Sequence, residues 1–214
     1  MRSRFDEQLK VLNKKMIEMG AECEELVALV AKALLNGDVV GAGNAKEQGY
    51  KIDQMEREIE SICLKLLLQQ QPVARDLRVI SAALKMITDM ERIGDQAEDI
   101  AEIIPFLGGK TGAEFADFKP MAKATCKMVN DSIDAYVNGD VTLAKAVIEH
   151  DDVVDKAFDR VKHSLIKMIS KNTADGEYAV DLLMIAKYFE RIGDHAVNIA
   201  EWVEFSVTGI HKGE

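Results

Sequence analysis

Acidic residues recur in this chain at a spacing that suits cation binding. Glu91 and Asp95 stand four apart, as do Glu190 and Asp194, and as do Asp151 and Asp155. A helix advances about 100° per residue, so residues four apart stack on one face. Each pair therefore sets two carboxylates side by side, a mildly unfavourable arrangement on an isolated helix. Two such pairs on adjoining helices offer four or more oxygen donors, which suits Mg, Mn or iron. Asp151 is the sharpest case. The seam Val147, Asp151, Val154, Phe158, Val161, Leu165, Met168 is spaced 4-3-4-3-4-3, so an aspartate occupies an apolar slot. A carboxylate there is costly unless it is paired, neutralised or bound to a cation.

Other uses of these acids compete with metal binding. Arg92 and Arg191 lie next to them and would neutralise them as structural ion pairs on a metal-free helical scaffold. A carboxylate-bridged metalloenzyme acting on phosphate esters or oxygen is a further alternative. Against it, neither histidine nor lysine recurs beside the acids to serve as general acid, since His195 corresponds to Gln96 and His150 to Gln48. The chain also lacks the paired Glu-x-x-His motifs of ferritin-like di-iron proteins.

The elements that must carry these residues are helices. Leu9, Leu12, Met16, Met19, Cys23, Leu26, Val30 and Ala33 form a heptad seam. Ile52, Met55, Ile59, Ile62 and Leu66 mark a second helix. A third carries Val79, Ala83, Met86, Met90, Ile93, Ala97 and Ile100. Pro72 separates the second helix from the third, and Pro105 with Gly108-Gly109 ends the third. The stretch from Pro105 to Pro120 reads as a loop, after which the pattern restarts. Asn138-Gly139-Asp140 repeats Asn36-Gly37-Asp38, a helix stop followed by an N-cap. ERIGDQAEDIAE, from Glu91, and ERIGDHAVNIAE, from Glu190, agree at nine of twelve positions. The expectation is an all-α chain of six long helices, built as two tandem, pseudo-symmetric three-helix bundles over residues 1–107 and 115–208.

Leu77, Ile80, Leu84 and Ile87 make an apolar ridge that runs into Glu91 and Asp95, opposite the expected core stripe. A ridge of that kind calls for cover, and a homodimer is expected to supply it. Gly94 and Gly193 fall at equivalent points inside helices, at a cost of about 1 kcal/mol each relative to alanine. They imply either a close helix approach or space kept beside the carboxylates.

Composition limits the function classes. The 214 residues carry 27 Lys+Arg against 37 Asp+Glu, a net charge of −10, which argues against direct nucleic-acid binding. A hydrophobic content of 48% excludes a disordered chain. Met1 to Glu7 includes no apolar leader segment, and the longest apolar run, Leu26–Ala31, is far short of a membrane span of roughly 20 residues. Cys23, Cys63 and Cys126 are odd in number and far apart, giving neither a disulfide framework nor a thiolate zinc site. A cytoplasmic protein with reduced thiols is expected.

Tandem three-helix units, each ending in ERIGDxAxxIAE, resemble the PhoU family of bacterial phosphate-signalling proteins. Pro72-Val73-Ala74-Arg75-Asp76-Leu77-Arg78, ahead of the third helix, is also typical of the first PhoU repeat. The resemblance implies a regulator and not an enzyme. Such a protein damps the phosphate-starvation response and links the ATPase of a phosphate ABC transporter to a membrane sensor histidine kinase. It would meet the membrane through those partners only. The resemblance also implies metal binding, with Fe, Zn, Mn or Mg as candidates and multinuclear iron among them, through paired E(D)xxxD motifs. Carried onto this chain, the second repeat has both motifs intact, in Asp151 with Asp155 and Glu190 with Asp194. The first has Glu91, Asp95 and Asp53, but Gly49 stands where a fourth acid is expected, with Asp99 as a partial substitute.

Overall fold

The computed structural model describes residues 2–70, 72–111, 117–173 and 176–210. Six long helices account for nearly all of them: α1 (Arg2–Asn36), α3 (Ala45–Gln70), α4 (Ala74–Ile103), α5 (Phe118–Asn138), α6 (Val141–Lys171) and α7 (Gly176–Thr208). A single turn, α2 (Val39–Ala42), precedes α3, and a 3₁₀ turn, Ile104–Leu107, follows α4. No strand occurs among the described residues. Within each repeat the three long helices pack on one another, α1, α3 and α4 in the first and α5, α6 and α7 in the second.

The repeated Asn-Gly-Asp acts as the residue types require. Gly37 and Gly139 adopt left-handed φ values of 66° and 62°. In both repeats the following aspartate N–H reaches back to the carbonyl five residues earlier, Asp38 to Ala33 and Asp140 to Ala135, each at 2.9 Å. That closes the preceding helix as a Schellman turn. Asp140 then caps α6, its Oδ1 accepting from Thr142 N and Leu143 N at 2.9 and 3.0 Å. Asp38 caps only the one-turn α2, through Gly41 N at 2.8 Å. The second repeat continues through this region as one helix, whereas Gly43-Asn44 interrupts the first. Pro72 falls in the break between α3 and α4, as expected. Pro120 does not bound a loop: α5 begins at Phe118, and the proline sits in its first turn, where a backbone N–H has no intrahelical partner to lose.

The seams are buried as the periodicity requires. Leu12, Met16, Met19, Cys23, Leu26, Val30 and Ala33 of α1 are all core residues. One continuous apolar core runs through both repeats. The most extensive contact between helices is that of α4 with α7, which ties one repeat to the other. These two helices run antiparallel. Asp89 of α4 accepts from Asn198 Nδ2 at 2.9 Å, and its Oδ1 lies 2.9 Å from His195 Nδ1. Farther along, the Tyr188 hydroxyl donates to Asp99. Asp89 and Tyr188 are equivalent positions, as are Asp99 and Asn198, so the two ties obey the same pseudo-twofold relation as the sequence repeat.

This packing changes the reading of the apolar ridge. Ile80 and Ile87 are fully buried and Leu84 is half-buried in the core of the chain; only Leu77 stays exposed. The ridge that called for a second copy of the chain is satisfied within one copy. Gly20 serves the second junction, where α1 meets α5: a Cβ there would come within 2.7 Å of Ile133 Cγ2.

Candidate metal centre

The helices bring the acidic motifs together within each repeat, on α3 and α4 in the first and on α6 and α7 in the second. In the first, Asp53 of α3 and Glu91 and Asp95 of α4 each offer an oxygen, all within 4.8 Å of one another. Each of the three is half-buried. Burial, then the charge of Asp95, raises the Glu91 carboxyl above its ordinary range. Arg92 supplies a local cation, with Nη1 3.0 Å from Asp95 Oδ2 and Nε 3.4 Å from Glu91 Oε2. Its side chain is about half exposed, so it can swing into solvent without opening the core.

In the second repeat Asp151 carries the clearest electrostatic burden. Burial, followed by the charges of Asp155, Asp194 and Glu190, pushes its carboxyl up to about 6. Its Oδ1 is buried and has no hydrogen-bond partner. Asp155 and Asp194 are raised in turn, first by burial and then by Glu190. The cation here is Lys187, whose Nζ lies 2.6 and 2.5 Å from the two Glu190 oxygens. Among the described residues, the group whose oxygens converge within 4.8 Å is in the first repeat, the one whose motif is incomplete in sequence.

The glycines differ between repeats. A Cβ at Gly193 would lie 3.5 Å from Asp151 Oδ1, so this glycine keeps room beside a carboxylate. A Cβ at Gly94 would instead touch the Ile52 side chain at 3.4 Å. Gly49 on α3 faces a side chain of α4. A side chain there would overlap the Glu98 carboxylate, which lies directly against the glycine. Glu98, half-buried on α4, is raised first by burial and then by Asp53 and Asp95. Asp99, the expected substitute, turns instead toward Tyr188 and Arg191 at the seam between repeats. His195 is engaged with Asp89 and points to no acid pair.

The donors fit a hard or borderline divalent cation: in the first repeat three half-buried carboxylates from two helices converge, and in the second Asp151 holds a buried oxygen without a partner. The thiols do not compete. Burial pushes Cys63 up to about 12 and Cys126 up to about 11, and drives Cys23 further in the same direction. Among the described residues no helix is long and apolar enough to cross a membrane.

Fold and site together define a class: all-helical, internally duplicated proteins with an acidic motif on adjoining helices of each repeat. A family model described as the PhoU domain matches this chain twice, over residues 16–104 and 118–203. A Clostridium acetobutylicum protein described as a phosphate-specific transport system accessory protein PhoU homolog is 33% identical, over 96% of this chain and 94% of its own length. The crystal structure of PhoU from Pseudomonas aeruginosa superposes with a TM-score of 0.93 at 31% identity, covering 96% of this chain and all of that one. That of a PhoU phosphate transport system regulatory protein from Streptococcus pneumoniae shares the fold, with a TM-score of 0.88 at 23% identity over 98% of this chain and all of that one. The chain belongs to the PhoU family.

Proposed function

We propose that this chain is a cytoplasmic accessory regulator of phosphate transport that restrains phosphate-starvation signalling. In this role it couples the ATPase of a phosphate ABC transporter to a membrane sensor histidine kinase and holds metal ions at the acidic sites of its repeats. Family membership supports the transport role, since the relatives carry that description. The observation that carries the metal reading is the convergence of Asp53, Glu91 and Asp95 from two helices. A divalent cation there would offset the mutual repulsion of the carboxylates and tie α3 to α4, fixing the surface offered to partners. With a net charge of −10, the chain acts through protein partners and not through DNA.

The test is made in cells. Removing the chain under phosphate-replete growth should raise starvation-gene output, and the wild-type chain should restore repression while co-purifying with the transporter ATPase and the kinase. Starvation-gene output that is the same with and without the chain contradicts the regulatory role. Turnover of a simple phosphate ester by the metal-loaded chain would favour the metalloenzyme instead.

A further inference from the structure

One groove of this acidic chain gathers lysines and no acid. It lies between α1 and α5, at the junction of the two repeats, and has a volume of about 430 Å³. Lys32 of α1 and Lys119 and Lys123 of α5 line it. Three other cavities each set one lysine beside two acids: Lys32, on its other side, with Glu25 and Asp38; Lys46 with Glu98 and Glu102; Lys85 with Asp89 and Glu201. Among the described residues none of the three groove lysines makes an ion pair. On a chain of net charge −10 the groove is a local reversal of sign.

Its floor is apolar. Ala31 and Ala122 are buried, Leu35 and Cys126 are half-buried, and the short alanine side chains leave room between the helices. Lys119 and Lys123 stand four apart on one face of α5, a like-charge pair that is mildly unfavourable on an isolated helix. All three lysines are exposed. Flexible ammonium stems around an apolar floor suit carboxylates spread along a partner's surface, rather than one small anion that needs fixed donors. An acidic partner is repelled by most of this chain, so the groove also sets where such a partner lands.

We infer that the groove between α1 and α5 receives an acidic, amphipathic segment of a partner protein. Apolar side chains of that segment enter the floor while its carboxylates meet Lys32, Lys119 and Lys123. The inference rests on the reading of this chain as one that acts through protein partners. It gives that contact a surface on helices other than those that carry the paired acids.

The test measures affinity of the full-length chain for the purified transporter ATPase and for the full-length kinase in detergent, at about 0.05 M and about 0.3 M salt. Lys32→Glu with Lys119→Glu and Lys123→Glu should weaken binding to one of the two by about tenfold or more and remove the loss of affinity with salt. Leu35→Gln should weaken the same partner and keep the salt dependence. Lys10→Glu with Lys65→Glu and Lys171→Glu, at exposed lysines outside the groove, makes the same change in net charge and should leave affinity nearly unchanged. Wild-type affinity in the groove variant, or equal losses in the two triple variants, would overturn the groove and leave the partner reading standing. A wild-type dimer that becomes a monomer in the groove variant, with partner affinity kept, would also overturn it, by giving the groove to a second copy of the chain. Binding of neither partner by the wild-type chain would overturn the partner reading and this inference with it.

Discussion

At the residue scale, the acidic sites are held in a state that a cation or a proton relieves. Asp151 rises from 3.8 to about 6, chiefly through burial and then through Asp155, Asp194 and Glu190. Between those two values the folded chain keeps a proton that the unfolded chain has released. Folding is therefore favoured as pH falls through this window, and that stabilisation is lost as pH rises through about 6. Glu91, Glu98, Asp155 and Asp194 are raised and contribute with the same sign. Asp152 and Asp159, lowered by Lys156 and Lys162, contribute with the opposite sign, but below the ordinary carboxylate range. The metal-free chain should thus melt higher at about pH 5 than at about pH 7.5, and saturating Mn(II) should narrow or invert that difference, because the metal requires the charged form. A metal-free chain that loses stability steadily over the same descent contradicts the electrostatic account. Most of these residues were legible from spacing alone. Glu98 was not, because it falls outside the acid-x3-acid spacing. Only its contact with Gly49, across α3 and α4, places it near the first-repeat acids.

At the element scale, the same Asn-Gly-Asp signal makes two different helix starts. Asp140 satisfies two N–H groups at the head of a 31-residue helix, whereas Asp38 satisfies one at the head of a four-residue turn. Replacing Asp140 by Ala should cost about 1 kcal/mol, and replacing Asp38 clearly less. Urea unfolding of the two variants measures this, and equal losses would contradict it. Helix existence, order and breaks were readable because apolar periodicity, Pro72 and the Gly-Asp caps all act locally. The boundary at Pro120 was misplaced because a proline marks either the end of a loop or the first turn of a helix. Sequence alone does not choose between these.

At the scale of the whole molecule, two repeats share one core, and this was the part least legible in the sequence. Periodicity identifies which face of α4 is apolar but not which surface covers it. The ridge of Ile80, Leu84 and Ile87 therefore read as a dimer face, although it is covered within the same chain. A shared core makes the molecule one cooperative unit, so a cation at either acidic site stabilises all of it. The most direct test is thermal unfolding of the full chain with and without Mn(II) near neutral pH. The wild-type chain should melt in a single transition. At about 100-fold excess over its dissociation constant, the metal should raise that transition by roughly 5–10 °C. A chelator should reverse the shift, and a variant with Asp53, Asp95, Asp155 and Asp194 changed to Asn should lose it. A melting temperature that ignores the metal, or a shift that survives in the four-site variant, would contradict metal binding at the paired acids.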